Sequence, residues 1–229
     1  MKLNPAFCRL FPFAIYLGFF AVGGAFEFLY VQGAPFLENW DPRWLYPTKT
    51  LLVLLALIWL WRNFTELAKP SEVKPIDWAI GVVTGVVVFV LWINLAQDWA
   101  TVGQSAGYDP TDPQTGQPDW TLVAIRIFGA AMVVPVMEEL FWRSFVMRWI
   151  ARQDFLGVDP ARVGAKAFFI TAVLFASEHS LWLAGLMAGV AYNWLYMRSR
   201  NLWVPVAAHA VTNGLLGFWV VQTHNWQFW

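Results

Sequence analysis

The sequence predicts an all-α polytopic membrane protein, a bundle of about seven transmembrane helices within a range of about six to eight. Two features of composition and one of patterning predict it. The 229 residues are 59% hydrophobic and only 13% charged, against about 25% charged in an ordinary soluble domain. There are 16 tryptophans, and tryptophan collects at bilayer interfaces because its ring is apolar while its N–H needs a wet partner. Apolar runs near the roughly 20 residues needed to span a bilayer recur along the chain.

The runs place helices over 9–31, 45–66, 76–97, 120–149, 163–180, 181–198 and 202–222. The first follows a basic start, Met1 to Arg9, and looks like a signal peptide. Its apolar run is long for one and more spans follow, so it reads as an uncleaved first helix. The second is weaker, since Lys49 and Arg62 bracket a short apolar run and must snorkel. Gly81, Gly85, Gly185 and Gly189 have the small-xxx-small spacing that favours close helix approach. Asn94, Asn193 and Thr84 read as packing polars, and Glu27 and Arg126 read equally as a pair near the external face or as separately snorkelling side chains. No repeat or second domain is visible, so 1–229 reads as a single transmembrane domain.

Lys and Arg in short loops set orientation. Lys2, Arg9, Arg62, Lys69, Lys74, Arg143, Arg148, Arg152, Arg162, Lys166, Arg198 and Arg200 fall on one side of seven spans. The other side receives the connection 98–120, with four aspartates and no Lys or Arg, and the C-terminal tail. Only Arg43 and Lys49 break the pattern. The N-terminus is therefore expected in the cytoplasm. Zero net charge argues against a nucleic-acid partner, and the single cysteine, Cys8, rules out an intrachain disulfide.

Glu138 and Glu139 interrupt the fourth run. A carboxylate at membrane depth costs roughly 2.5–3.5 kcal/mol, so its default reading is functional. Glu139 and Arg143, at i and i+4, can meet on one helix face, which leaves Glu138 about 100° away and free to face the interior. That suits a general base taking a proton from water. His179 closes Phe175-Ala-Ser-Glu-His179 and can polarise that water or bind a metal. His209 and Asn213 share a helix face and can donate to one oxyanion. Helical rise places Glu138 about 15 Å, His179 about 20 Å and His209 about 14 Å from the basic ends of their helices. The expectation is one site near mid-membrane, opening toward the cytoplasm. No P-loop, GxGxxG, GxSxG or HExxH pattern is present, and neither Ser144 nor Ser177 has an evident base.

The order of these motifs resembles the CAAX protease and bacteriocin-processing (CPBP, or Abi) family. Glu138-Glu139-Leu-Phe-Trp-Arg143 is similar to its EExxxR box, Phe175 to His179 to its FxxxH box, and His209-Ala-Val-Thr-Asn213 to its HxxxN box. The resemblance covers 120–220 as a catalytic core. The wording around Met137–Trp149 resembles the bacterial CAAX prenyl protease-related branch linked to exosortase systems. The resemblance implies an intramembrane endopeptidase in a bacterial inner membrane, acting on a membrane-anchored or lipidated protein, with an exosortase-type sorting system as partner. It implies that Glu138 activates water, His179 assists, His209 and Asn213 hold the oxyanion, and Glu139 and Arg143 orient Glu138. No cofactor is favoured. The alternative is zinc on Glu138, His179 and His209. Other functional readings are a non-catalytic sorting or immunity partner of the same fold and a proton-coupled transporter. The latter lacks repeat symmetry.

Overall fold

A computed structural model describes residues 3–33, 40–103 and 107–229. Seven long helices run through it. They are α1 (Pro5–Val31), α2 (Leu45–Leu60), α3 (Pro75–Asn94), α4 (Trp120–Ala151), α5 (Gly164–Ala176), α6 (Trp182–Ser199) and α7 (Trp203–Thr223). Each matches an expected segment. The largest differences are at α2, which ends at Leu60 where short 3-10 turns take over, and at α5, which stops at Ala176 because 177–181 turn into α6. Lys2 lies outside the described residues.

Local chemistry sets the helix starts. Asn4 accepts the Ala6 N–H at 2.8 Å with Pro5 at the first helical position, and Asp119 accepts from the N–H groups of Thr121 and Leu122. Arg200 and His224 close α6 and α7 in the left-handed conformation.

Helices α1, α2, α3, α4 and α7 are long and apolar enough to cross a membrane. Their outward faces are apolar, as with Val82, Val83, Val86, Val87 and Val90 on α3 and Leu51, Leu52, Leu55 and Ile58 on α2. A helix bundle satisfies its backbone internally and can present such a surface to lipid. The protein is an integral membrane protein.

Small residues set the closest approaches. Helix α3 lies along α7, where a Cβ on Gly85 would sit 2.4 Å from the Ala208 carbonyl oxygen. Helix α5 lies along α6, where a Cβ on Gly189 would meet Ala172 at 3.0 Å.

The two ends of the bundle differ. The basic end is knitted by charge. Arg9 and Arg148 both pair with Glu66, at 2.5 and 2.8 Å, and Ser144 donates its hydroxyl to the same carboxylate. Arg9 and Arg148 are buried, and the aromatic rings of Phe64, Phe155 and Tyr196 lie against their guanidinium groups. Burial pushes the Glu66 carboxyl up, but the hydrogen bond and charge of Arg9, with help from Ser144, outweigh it and hold the group below its ordinary range. At the opposite end Arg43 pairs with Asp41 at 2.7 Å and donates to the Thr111 carbonyl at 3.0 Å, while Tyr108 donates to the Arg43 carbonyl. One of the two exceptions to the charge pattern is thus neutralised locally.

Candidate active site

Helix α4 carries the first part of the site, and its winding is irregular there. Pro135 has no N–H and crowds the carbonyl four residues before it. The preceding turn, Gly129–Val133, widens to π-helical hydrogen bonding, and a second wide stretch runs over Leu140–Met147. Such turns break the regular ladder and recur at functional sites. Here the first one turns the Ala130 carbonyl to Asn213, whose Nδ2 donates to it at 2.8 Å.

Glu139 is the hub. Its side chain is fully buried, and Oε1 accepts from Arg143 Nη1 at 3.1 Å and meets His209 Nδ1 at 3.0 Å. Arg143, equally buried, donates from Nε to Asn193 Oδ1 at 3.1 Å and lies over the rings of Phe175 and Tyr192. Asn193 is held in turn by the Phe168 carbonyl at 2.8 Å. Tyr192 stacks on His209 with ring centroids 5.0 Å apart, and its hydroxyl donates to Thr212 at 2.8 Å. The His209 ring is therefore fixed by a carboxylate on one edge and an aromatic face on one side.

The other ring nitrogen, His209 Nε2, lies 4.0 Å from Glu138 Oε2. That oxygen makes no hydrogen bond with the protein. His179 Nδ1 lies 2.9 Å from the Phe175 carbonyl, an arrangement that fixes the proton on Nδ1 and leaves Nε2 to the cavity. Trp92 stands edge-on to that ring at 5.2 Å. Trp142 donates its indole N–H to Glu178 at 3.0 Å.

A cavity of about 650 Å³ is lined by Glu138, His179, His209 and Asn213 together. The structure thus brings these four predicted residues to one space and places Glu139 and Arg143 directly behind it. The direction of the cavity differs from the expectation. It runs toward Pro42, Tyr108 and Trp229, at the end carrying the acidic connection and the C-terminus, rather than toward the basic loops. Helical rise bears on distance along a helix and says nothing of which end stays open. The buried Arg9–Glu66–Arg148 cluster fills the basic end. Of the two readings of Arg126, the structure does not show the pair. Among the described residues it makes no ion pair with Glu27 and instead lies over Tyr46 at 4.2 Å.

Three positioning groups were not foreseen. Asn193 read as a packing polar, Tyr192 carried no signal, and the grip of Glu139 on His209 joins residues 70 apart in sequence. Only the fold brings these groups together.

A family model for type II CAAX prenyl endopeptidases, Rce1-like, matches residues 120–215. That span contains every residue of the constellation, from Glu138 to Asn213. Residues 120–215 form an Rce1-like CAAX prenyl endopeptidase domain. Comparison with curated proteins and with solved structures gives no match. The Rce1-like domain covers α4 to most of α7, whereas α1 to α3 lie outside it and still supply cavity walls, including Tyr16, Lys49 and Trp92. The Rce1-like family is one of CAAX-type proteases, and the likeness of residues 120–215 to it supports a membrane hydrolase.

Proposed function

We propose that this protein is an intramembrane endopeptidase that hydrolyses a peptide bond near the membrane-embedded or lipidated C-terminal end of a protein. The observation that carries this reading is Glu138, whose Oε2 makes no hydrogen bond with the protein, on the wall of a cavity that His179, His209 and Asn213 also line. Glu138 takes a proton from water as the water oxygen bonds to the scissile carbonyl carbon. His179 Nε2 orients that water. The developing oxyanion accepts from Asn213, whose Nδ2 keeps a second N–H beyond the one given to Ala130. The C–N bond then breaks as Glu138 passes its proton to the leaving amine.

His209 acts through two edges. Nδ1 is engaged by Glu139, which leaves Nε2 as the edge offered to the oxyanion. Glu139 and Arg143 are positioning residues in this scheme.

Zinc remains the alternative cofactor. Among the described residues no group of three His, Cys, Asp or Glu is arranged as a ligand set, so no step is routed through a metal. If the positive-inside rule orients the chain, the N-terminus is cytoplasmic and the cavity faces the opposite side of a bacterial inner membrane. An exosortase-type sorting system would present substrate from that side.

The test is cleavage of membrane-anchored and farnesylated C-terminal peptides by purified protein. Glu138→Gln and His179→Ala should abolish or strongly reduce it while leaving the protein folded and inserted. A cellular phenotype that survives both substitutions would instead mark a non-catalytic partner.

A further inference from the structure

Four described cations that are wholly or partly buried have carboxylate partners. Arg9 and Arg148 share Glu66, Arg43 has Asp41 and Arg143 has Glu139. Lys49 and Arg126 are the exceptions. Both are half-buried, and neither has an ion-pair partner among the described residues. Arg126 Nε is buried with no hydrogen-bond partner. Both side chains line the cavity that holds Glu138.

Their surroundings are aromatic. Lys49 Nζ lies 3.8 Å from the Tyr16 ring centroid, 5.0 Å from Phe20 and 5.2 Å from Tyr46. Arg126 lies 4.2 Å from Tyr46, 5.9 Å from Tyr108 and 5.8 Å from Trp229. Ring faces stabilise a cation by about 0.5–2 kcal/mol but do not neutralise it. Both cations lie against the Tyr46 ring, and two like charges so placed in a low-dielectric space repel. An anion between them removes that cost. Glu27 lines the same cavity, but it is exposed and pairs with neither cation.

We propose that Lys49 and Arg126 form a subsite for the free C-terminal carboxylate of the peptide being cleaved. The inference rests on the peptidase reading above. Glu138 and Arg126 are 12 residues apart on α4, about 18 Å of helical rise. Lys49 lines the same cavity as both and shares the Tyr46 ring with Arg126, at 5.2 and 4.2 Å. An extended peptide covers about 3.3–3.6 Å per residue. A fragment of about five residues beyond the scissile bond spans the distance to Arg126, with Lys49 on the wall of the same cavity. The subsite thus acts as a ruler from the free end, selecting where the chain is cut. Phe20 and Tyr16 supply the apolar wall along which the fragment lies.

The test uses the full chain in nanodiscs of neutral lipid. The probe is a fluorescent farnesylated CAAX peptide with a free C-terminal carboxylate, compared with its C-terminal amide. Binding is read on the Glu138→Gln protein so that nothing is consumed. The acid should bind at least about tenfold more tightly than the amide, as expected for a charged hydrogen-bonded pair. Arg126→Gln and Lys49→Gln should each shrink that preference toward unity, Arg126→Lys should retain part of it, and Lys69→Gln, at an exposed position, should retain all of it. Equal binding of acid and amide, or binding of neither, overturns the proposal. So does equal displacement of both forms by phosphatidylglycerol, which would assign the cations to lipid headgroups. Failure of the peptidase reading is separate, because it shows as cleavage that survives Glu138→Gln.

Discussion

Replacing Arg143 with methionine removes the single cation that sits between Glu139 and Asn193. Met keeps the apolar stem without the charge, while the guanidinium that lies over Phe175 and Tyr192 and its two hydrogen bonds, at 3.1 Å each, are lost. Hydrogen bonds to charged groups contribute about 1.5–3 kcal/mol each. Removing one partner of a fully buried ion pair costs about 3–5 kcal/mol, because the remaining charge is left uncompensated. With both side chains at 0% exposure the larger figure applies. Arg143→Met should therefore destabilise the protein by about 3–5 kcal/mol. Most of that penalty belongs to the stranded Glu139, so adding Glu139→Gln should restore a large part of it. The assay is a double-mutant cycle by reversible unfolding in mixed micelles, with cleavage measured alongside. A coupling of at least about 1 kcal/mol is expected between residues in contact. Stability restored without cleavage is the expected signature, since the double variant no longer holds His209. Strictly additive losses would refute the assignment of Arg143 as the counter-charge of Glu139.

Three further outcomes follow from the geometry. Asn213→Ala removes an oxyanion donor and should lower kcat by about 10²–10³ with little change in KM, as read by steady-state cleavage. Gly85→Ala places a methyl carbon 2.4 Å from the Ala208 carbonyl oxygen. It should cost about 1–3 kcal/mol of stability by forcing α3 from α7, and a thermal melt in detergent checks it. The Glu66 carboxyl is held below its ordinary value, so its contribution to stability is complete above the unfolded-state value of 4.5 and is lost as pH falls through the depressed folded-state value. Acid unfolding profiles should show this loss in the wild type and not in Glu66→Gln, which should already be less stable at neutral pH.

The sequence carried the fold class and the segment order, because long apolar runs are a strong local signal. The six candidate site residues stood out for a related reason, namely that ionisable and amide groups are conspicuous against an apolar background. Two parts were not legible. Glu139 was assigned to Arg143 from i,i+4 spacing, and the structure adds His209 to it, a contact between α4 and α7 that no local spacing encodes. The direction of the cavity was misread because depth along a helix is symmetric about the membrane centre. What breaks that symmetry is the Arg9–Glu66–Arg148 cluster, assembled from α1, the connection after α2, and α4. Arg9 and Arg148 read only as loop charges that set orientation. Lys49 read as a snorkelling nuisance, and the structure turns it toward Tyr16 inside the cavity.

The most direct measurement is the cleavage rate of a farnesylated or membrane-anchored C-terminal peptide by wild type and by Glu138→Gln, each with and without a strong zinc chelator. The account predicts cleavage by the wild type that persists with chelator, and none by Glu138→Gln in a folded, inserted protein. Undiminished cleavage by Glu138→Gln would contradict it. Wild-type cleavage that disappears with chelator and returns with zinc would move Glu138, His179 and His209 from a water-activating site to a metal site.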